Sequence, residues 1–123
     1  MKRAILLLLH CLFLSCKGQP NQARNVINLG DFREAIKDKQ IQLIDVRTAA
    51  EYAKGHIAEA INIALKNKEK FVKEFQKLDK NKPIYLYCHS GIRSRCASKK
   101  LAKMGFQNIF DFKGGYKAWR ATP

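Results

Sequence analysis

Pro83 is followed by Ile84-Tyr85-Leu86-Tyr87, and this apolar run stops at Cys88. Its length, its aromatic and β-branched content and the proline ahead of it predict a short buried strand. After the cysteine come four residues including Gly91, then Arg93, then a pattern predicting a helix from about Ser94 to Met104. A thiol is thereby set at the carboxyl end of a strand, where a tight loop runs into a helix N-terminus. Loop amides can turn inward as a nest, and the first helical N–H groups have no backbone acceptor of their own. The helix dipole adds partial positive charge at the same point. With Arg93, these features can draw a thiol from its usual pKa of about 8.5 toward the ~3.5–7.5 of activated cysteines. Cys88 is the candidate nucleophile. The plainer alternative is a core cysteine at a strand end, and the glycine and arginine that follow argue against it.

Similar units recur along the chain. Val26 to Leu29 reads as a short strand. Gly30-Asp31 then opens a helix with Asp31 as N-cap and Glu34 three residues on; Phe32, Ala35 and Ile36 form its apolar face. Ile41 to Val46 is the next strand and ends in Asp45-Val46-Arg47. A short helix over Thr48–Ala53, a Gly55-His56-Ile57 turn and an extended piece at Ile61–Ile63 follow. A basic amphipathic helix comes next, with Phe71, Val72, Phe75 and Leu78 on one side and Lys66, Lys68, Lys70, Lys73, Lys77 and Lys80 on the other. Beyond the cysteine loop, Ala97, Leu101 and Met104 mark a buried helix face, and Gly105 is a C′ stop. Asn108 to Phe112 is the last strand, and Gly114-Gly115 leads into a short helix carrying Tyr116 and Trp119. Short strands alternating with helices predict an α/β fold with a mainly parallel sheet. Ligands of such sheets sit beyond the carboxyl ends of the strands, where Cys88 and the Asp45–Arg47 segment both fall.

At 123 residues, 46% of them hydrophobic, the chain can build one core and not two. Its net charge of +14 favours anionic partners. The lysine-rich helix reads as a solvated face, and no aromatics interleave with its charges, so a nucleic-acid surface is not indicated. For a chain tethered to a membrane, anionic lipid is one such partner.

The amino terminus has the anatomy of a secretory signal: Met1-Lys2-Arg3, then an apolar run from Ala4 to Leu14 broken by His10, then Ser15-Cys16. The run falls short of the roughly 20 residues that span a bilayer. Leu12-Phe13-Leu14-Ser15-Cys16 resembles a bacterial lipobox, in which cleavage leaves a lipid-bearing cysteine; Phe13 departs from the usual leucine. The organisation expected is a signal peptide at 1–15, a polar tether at 16–24 and a domain over 25–123, the protein exported to the cell envelope and held in the periplasm by lipid on Cys16. Ordinary secretion with cleavage near Gly18 is the first alternative, and a cytoplasmic protein the second. Cys11 would leave with the signal.

Six segments in order carry a family resemblance: Leu43-Ile44-Asp45-Val46-Arg47, Glu51-Tyr52, Gly55-His56-Ile57, Ala60-Ile61-Asn62, Cys88-His89-Ser90-Gly91-Ile92-Arg93-Ser94 and Gly114-Gly115-Tyr116-Lys117-Ala118-Trp119. Together they resemble a single-domain rhodanese over residues 26 to 120. The resemblance implies a rhodanese-like α/β domain around a five-stranded sheet. It also implies a thiosulfate sulfurtransferase in which Cys88 carries a persulfide between a small anionic sulfur donor and an acceptor, either a small thiophile or a protein. Cys88 to Arg93 is C-x4-R, the shorter loop of sulfur-transferring rhodaneses; related phosphatases resemble C-x5-R, so sulfur transfer ranks above phosphatase or arsenate reductase chemistry. On this reading the backbone of His89, Ser90, Gly91, Ile92, Arg93 and Ser94 lines the site. Arg93 is expected to hold a leaving oxyanion, with bracing of the loop as the alternative, and Ser94 to cap the helix rather than to meet the sulfur.

Other residues have plainer readings. His89 need not face its neighbour Cys88, and His56 belongs to a turn. Asp45 and Arg47 resemble positions that support the scaffold. Cys96 is expected to be a core thiol rather than a resolving cysteine. The His and Cys spacings match no zinc pattern, and no cofactor is implied. Two other classes remain beside the enzyme: a persulfide carrier working with a protein partner, and a non-catalytic, membrane-tethered anion or protein binder.

Overall fold

The computed structural model describes residues 23–123. The predicted signal, Cys11, Cys16 and most of the tether lie outside the described residues. Ten elements follow one another: β1 (Arg24–Ile27), α1 (Leu29–Ala35), β2 (Gln42–Asp45), α2 (Ala49–Lys54), β3 (Ile61–Asn62), α3 (Lys68–Gln76), β4 (Ile84–Tyr87), α4 (Ile92–Lys103), β5 (Ile109–Phe112) and α5 (Gly115–Ala121). The strands form one sheet in the order β1-β5-β4-β2-β3. Every pair is parallel, where the sequence predicted a mainly parallel sheet. With β4 central, its carboxyl end lies at the middle of the sheet edge, and Cys88 is the next residue.

Strand alternation divides the core in two. One face of the sheet presents Ile44, Ile84, Leu86 and Ile109 to Phe71 and Phe75 of α3 and Ala97 and Leu101 of α4. The other presents Leu43, Tyr87 and Phe112 to Phe32 of α1, with Tyr116 and Trp119 of α5 packed against them. Phe32 stacks on Phe112 with ring centroids 4.3 Å apart. On the first face, α4 buries Ser94, Ala97, Ser98 and Leu101, the i, i+3, i+4, i+7 stripe of a core helix.

Local expectations shift in four places. The N-cap of α1 is Asn28, whose Oδ1 accepts the Asp31 N–H at 2.8 Å. Asp31 therefore stands in the first turn, where its charge complements the helix dipole. Val72 is 42% exposed, because Phe71 and Phe75 alone define the seam of α3. Cys96 is exposed and not a core thiol; one residue back from Ala97, it is turned about 100° off the buried stripe. Arg24, assigned to the tether, is the first residue of β1, and its Nε and terminal nitrogen donate to Asp111 Oδ2 at 3.1 and 2.8 Å.

Candidate active site

The Cys88 loop is short because α4 begins at Ile92, two residues earlier than predicted. Gly91 is the N-cap and holds φ +99°, a left-handed conformation that makes the turn from strand to helix possible in so few residues. A side chain at Gly91 would also bring its Cβ to 2.7 Å from the Lys113 carbonyl oxygen. This turn aims the Gly91 N–H at the Cys88 sulfur, N to Sγ 3.1 Å. Ser94 Oγ lies 3.6 Å from Sγ, where it accepts from the thiol, and donates its own proton to the Gly91 carbonyl at 3.3 Å. Ser94 is thus the third helical residue and meets the sulfur; it is not the cap. The amides of Ile92, Arg93 and Ser94 open the helix and have no acceptor among the described hydrogen bonds, so the helix N-terminus is left polar beside the thiol. Cys88 itself is 1% exposed and joins the hydrophobic cluster beneath α4. Its sulfur takes the Gly91 N–H and faces the Ser94 hydroxyl, with the hydrophobic cluster packed against it.

A second layer locks the loop from outside. The Tyr116 and Lys117 amides at the start of α5 donate to the carbonyls of Cys88 and His89 at 2.8 and 3.1 Å. Gly115, at φ +64°, is pressed so closely on this peptide that a Cβ would stand 2.5 Å from His89 O and 2.6 Å from Cys88 O. This contact explains the Gly114-Gly115-Tyr116 run: only a side-chain-free residue lets α5 bond the carbonyls that carry the thiol.

Asp45 and Arg47 form a buried pair, as a scaffold role requires. Arg47 Nε is 3.0 Å from both Asp45 oxygens, its terminal nitrogen is 2.6 Å from Oδ2, and the same nitrogen reaches Gly55 O at 2.7 Å. The guanidinium also lies 4.2 Å from the centroid of the Tyr116 ring, which couples β2 to the helix that holds the loop. Tyr87, at the end of β4, accepts the Ile57 N–H at 2.9 Å; burial pushes its phenol well above the usual range, so it stays neutral.

The expected oxyanion grip of Arg93 meets a competitor. Both terminal nitrogens of Arg93 bond Glu51, at 2.6 Å to Oε1 and 2.9 Å to Oε2. Glu51 in turn closes a capping box with Thr48 at the start of α2. Hydrogen bonding from Arg93 lowers the Glu51 carboxyl to about 2, against partial burial that works the other way, with Thr48 adding to the lowering. Arg93 therefore braces the loop against α2, the alternative role. Glu51 belongs to a motif quoted above but was given no role there; the Thr48-x-x-Glu51 spacing was its readable signal. His89 and Ser90 are exposed, and their side chains make no hydrogen bond among the described residues. Ile92 is 79% exposed at the loop's outer edge. His56 turns its ring onto Tyr52, centroids 3.9 Å apart, with Nδ1 3.2 Å from Tyr52 O, and is structural. No group of three metal-ligating side chains occurs among the described residues.

The family model described as the rhodanese-like domain matches residues 28–122. The chain belongs to the rhodanese family. Among curated rhodanese relatives, the thiosulfate sulfurtransferase GlpE of Coxiella burnetii is 32% identical over 88 residues, covering 72% of this chain and 79% of its own. YrkF of Bacillus subtilis, provisionally named a sulfur carrier protein, is 35% identical over 109 residues, 84% of this chain and 57% of its own. Among solved structures, a rhodanese-related protein from Thermoplasma volcanium superposes with a TM-score of 0.68 at 31% identity, covering 79% of this chain and 91% of that one. The rhodanese fold is thus established, and with it membership of a family of sulfurtransferases and sulfur carriers.

Proposed function

We propose that the protein is a sulfurtransferase that takes sulfane sulfur from thiosulfate or a similar donor onto Cys88 and passes it to a thiophilic acceptor. The Cys88 thiolate attacks the donor's outer sulfur; the new Sγ–S bond forms as the S–S bond of thiosulfate breaks, and its electron pair leaves with sulfite. The enzyme then holds Cys88-S-S⁻. An acceptor such as cyanide attacks the outer sulfur, forms thiocyanate and returns the thiolate. Splitting one exchange into two in this way predicts ping-pong kinetics.

The observation that carries this reading is the Gly91 N–H donated to Sγ from within a loop whose next three amides have no acceptor among the described residues. Such preorganised donors stabilise negative charge on sulfur without rearrangement. A loop this tight around a nearly inaccessible thiol favours a slender terminal sulfur over a tetrahedral phosphoryl group. Thiocyanate formation from thiosulfate and cyanide tests the proposal, with loading of Cys88 by one sulfur atom read by mass spectrometry. Wild-type protein forms both products and Cys88→Ala neither; turnover that survives the substitution removes Cys88 from the mechanism.

A carrier role with a protein acceptor is favoured by one feature, the exposed Ile92 beside the loop. Loaded Cys88 with slow turnover of small acceptors would select it. For location, the lipobox-like stretch ending at Cys16 supports export and lipid anchoring in the cell envelope, and palmitate labelling lost in Cys16→Ser is its test.

A further inference from the structure

Beside the Cys88 loop the sheet edge opens into a cleft of about 370 Å³ lined by Arg47, Glu51, Lys54, His89, Tyr116 and Arg120. Two of its lining residues adjoin the site through the backbone: His89 follows Cys88, and the Tyr116 amide bonds the Cys88 carbonyl. Two of its charges are already matched: Arg47 lies against Asp45 and Gly55 O, and Glu51 against Arg93. Lys54 and Arg120 are different. They come from separate helices, the end of α2 and the last turn of α5. Both are exposed, and neither joins an ion pair among the described residues. The Arg120 guanidinium lies 5.7 Å from the Tyr116 ring centroid, which sets it on the cleft wall with its charge still available.

We propose that this cleft is the subsite for the anionic head of the sulfur donor, the sulfonate end of a thiosulfate-type molecule, with Lys54 and Arg120 as the cations that hold it. The inference rests on the sulfur-transfer reading of Cys88 and assigns the oxyanion to groups other than Arg93, whose two terminal nitrogens are engaged by Glu51. The head is anionic both in bound thiosulfate and in departing sulfite. Contacts that hold it equally in both states act on KM rather than on kcat.

Steady-state kinetics on Lys54→Ala, Arg120→Ala and the double variant test it, together with calorimetric binding of thiosulfate to Cys88→Ser. Losing one charge-assisted contact raises KM for thiosulfate about 10-fold, and losing both raises it further, with kcat nearly unchanged. KM for cyanide stays at the wild-type value, and Lys54→Arg keeps most of the affinity. Thiosulfate binds Cys88→Ser and not the same protein carrying both alanines. An active double variant with unaltered KM for thiosulfate overturns the subsite, as does binding that survives both alanines or that Cys88→Ser never shows. A wild-type protein that binds thiosulfate through these residues but never loads Cys88 leaves the subsite standing and overturns the sulfur-transfer reading instead.

Discussion

The Tyr116 amide donates to the Cys88 carbonyl at 2.8 Å, so the carboxy-terminal helix is bonded to the peptide of the residue proposed to react. That bond exists only because Gly115 presents no side chain to the Cys88 and His89 carbonyls, both within 2.6 Å of where its Cβ would stand. Gly115→Ala therefore has to move α5 or the loop, and its φ of +64° adds strain of about 1 kcal/mol for a residue with a Cβ. The expected result is a lower Tm and at least about 10-fold slower loading of Cys88, since small misplacements at a reacting centre are costly. Stopped-time mass spectrometry of the thiosulfate reaction measures it; wild-type loading would mean that α5 does not position the loop.

The Arg93–Glu51 pair makes a pH-dependent prediction. The folded-state value of Glu51, about 2, lies below the roughly 4.3 of a free glutamate. Its stabilisation is therefore complete above about pH 4.3 and is lost as pH falls toward 2. Both side chains are about one-third exposed, so solvent screening limits the contribution to about 1 kcal/mol. Glu51→Gln should lower stability by that amount at neutral pH, and the gap should close as acid protonates the wild-type carboxyl. Denaturant melts of both proteins between pH 7 and pH 2 decide it; a constant gap would show that the loss is one of packing and not of charge.

How much of this was legible in the chain depends on sequence distance. The strand, Cys88, Gly91 and the helix after it were readable because the physics is local: a left-handed glycine and orphan amides need only a few residues to declare themselves. Asp45 and Arg47 are two residues apart, and their pairing was readable for the same reason. The partner of Arg93 was not, because Glu51 lies 42 residues away on another helix and only the packed sheet brings them together. Arg24 and Asp111, 87 residues apart, are hidden by the same distance. The exposure of Cys96 turned on one step of helix rotation, finer than an apolar pattern resolves, and the predicted cap Asp31 gave way to Asn28, an equally good capping residue three positions earlier.

Asp45→Asn probes the buried pair. The substitution keeps the shape and removes the charge, which leaves the Arg47 guanidinium, in a residue 2% exposed, without its counter-ion. Breaking a buried pair from one side costs about 3–5 kcal/mol. Thermal melts should show a marked loss of stability, larger than that of Glu51→Gln because the pair is enclosed. The double change Asp45→Asn with Arg47→Met should recover part of it, since no unpaired charge remains. A single variant as stable as wild type would show that water reaches Arg47.

Ser94→Ala separates a role at the sulfur from a role in the helix. The hydroxyl sits 3.6 Å from Sγ, and the N-cap position belongs to Gly91. Removing it deletes one bond to the Gly91 carbonyl, worth about 1 kcal/mol, and one donor that can turn to a negatively charged sulfur. Loss of an oriented donor at short range to a charged centre lowers rates by about 100- to 1000-fold, and one at 3.6 Å from sulfur contributes less. The expected outcome is a modest change in Tm beside a 10- to 100-fold fall in kcat for sulfur transfer, with KM for thiosulfate little altered because the anionic head is held elsewhere. Ser94→Thr, which restores the hydroxyl, should recover part of the rate. A large drop in Tm with kcat preserved would return Ser94 to a purely structural role and leave the Gly91 amide as the sulfur's only close donor.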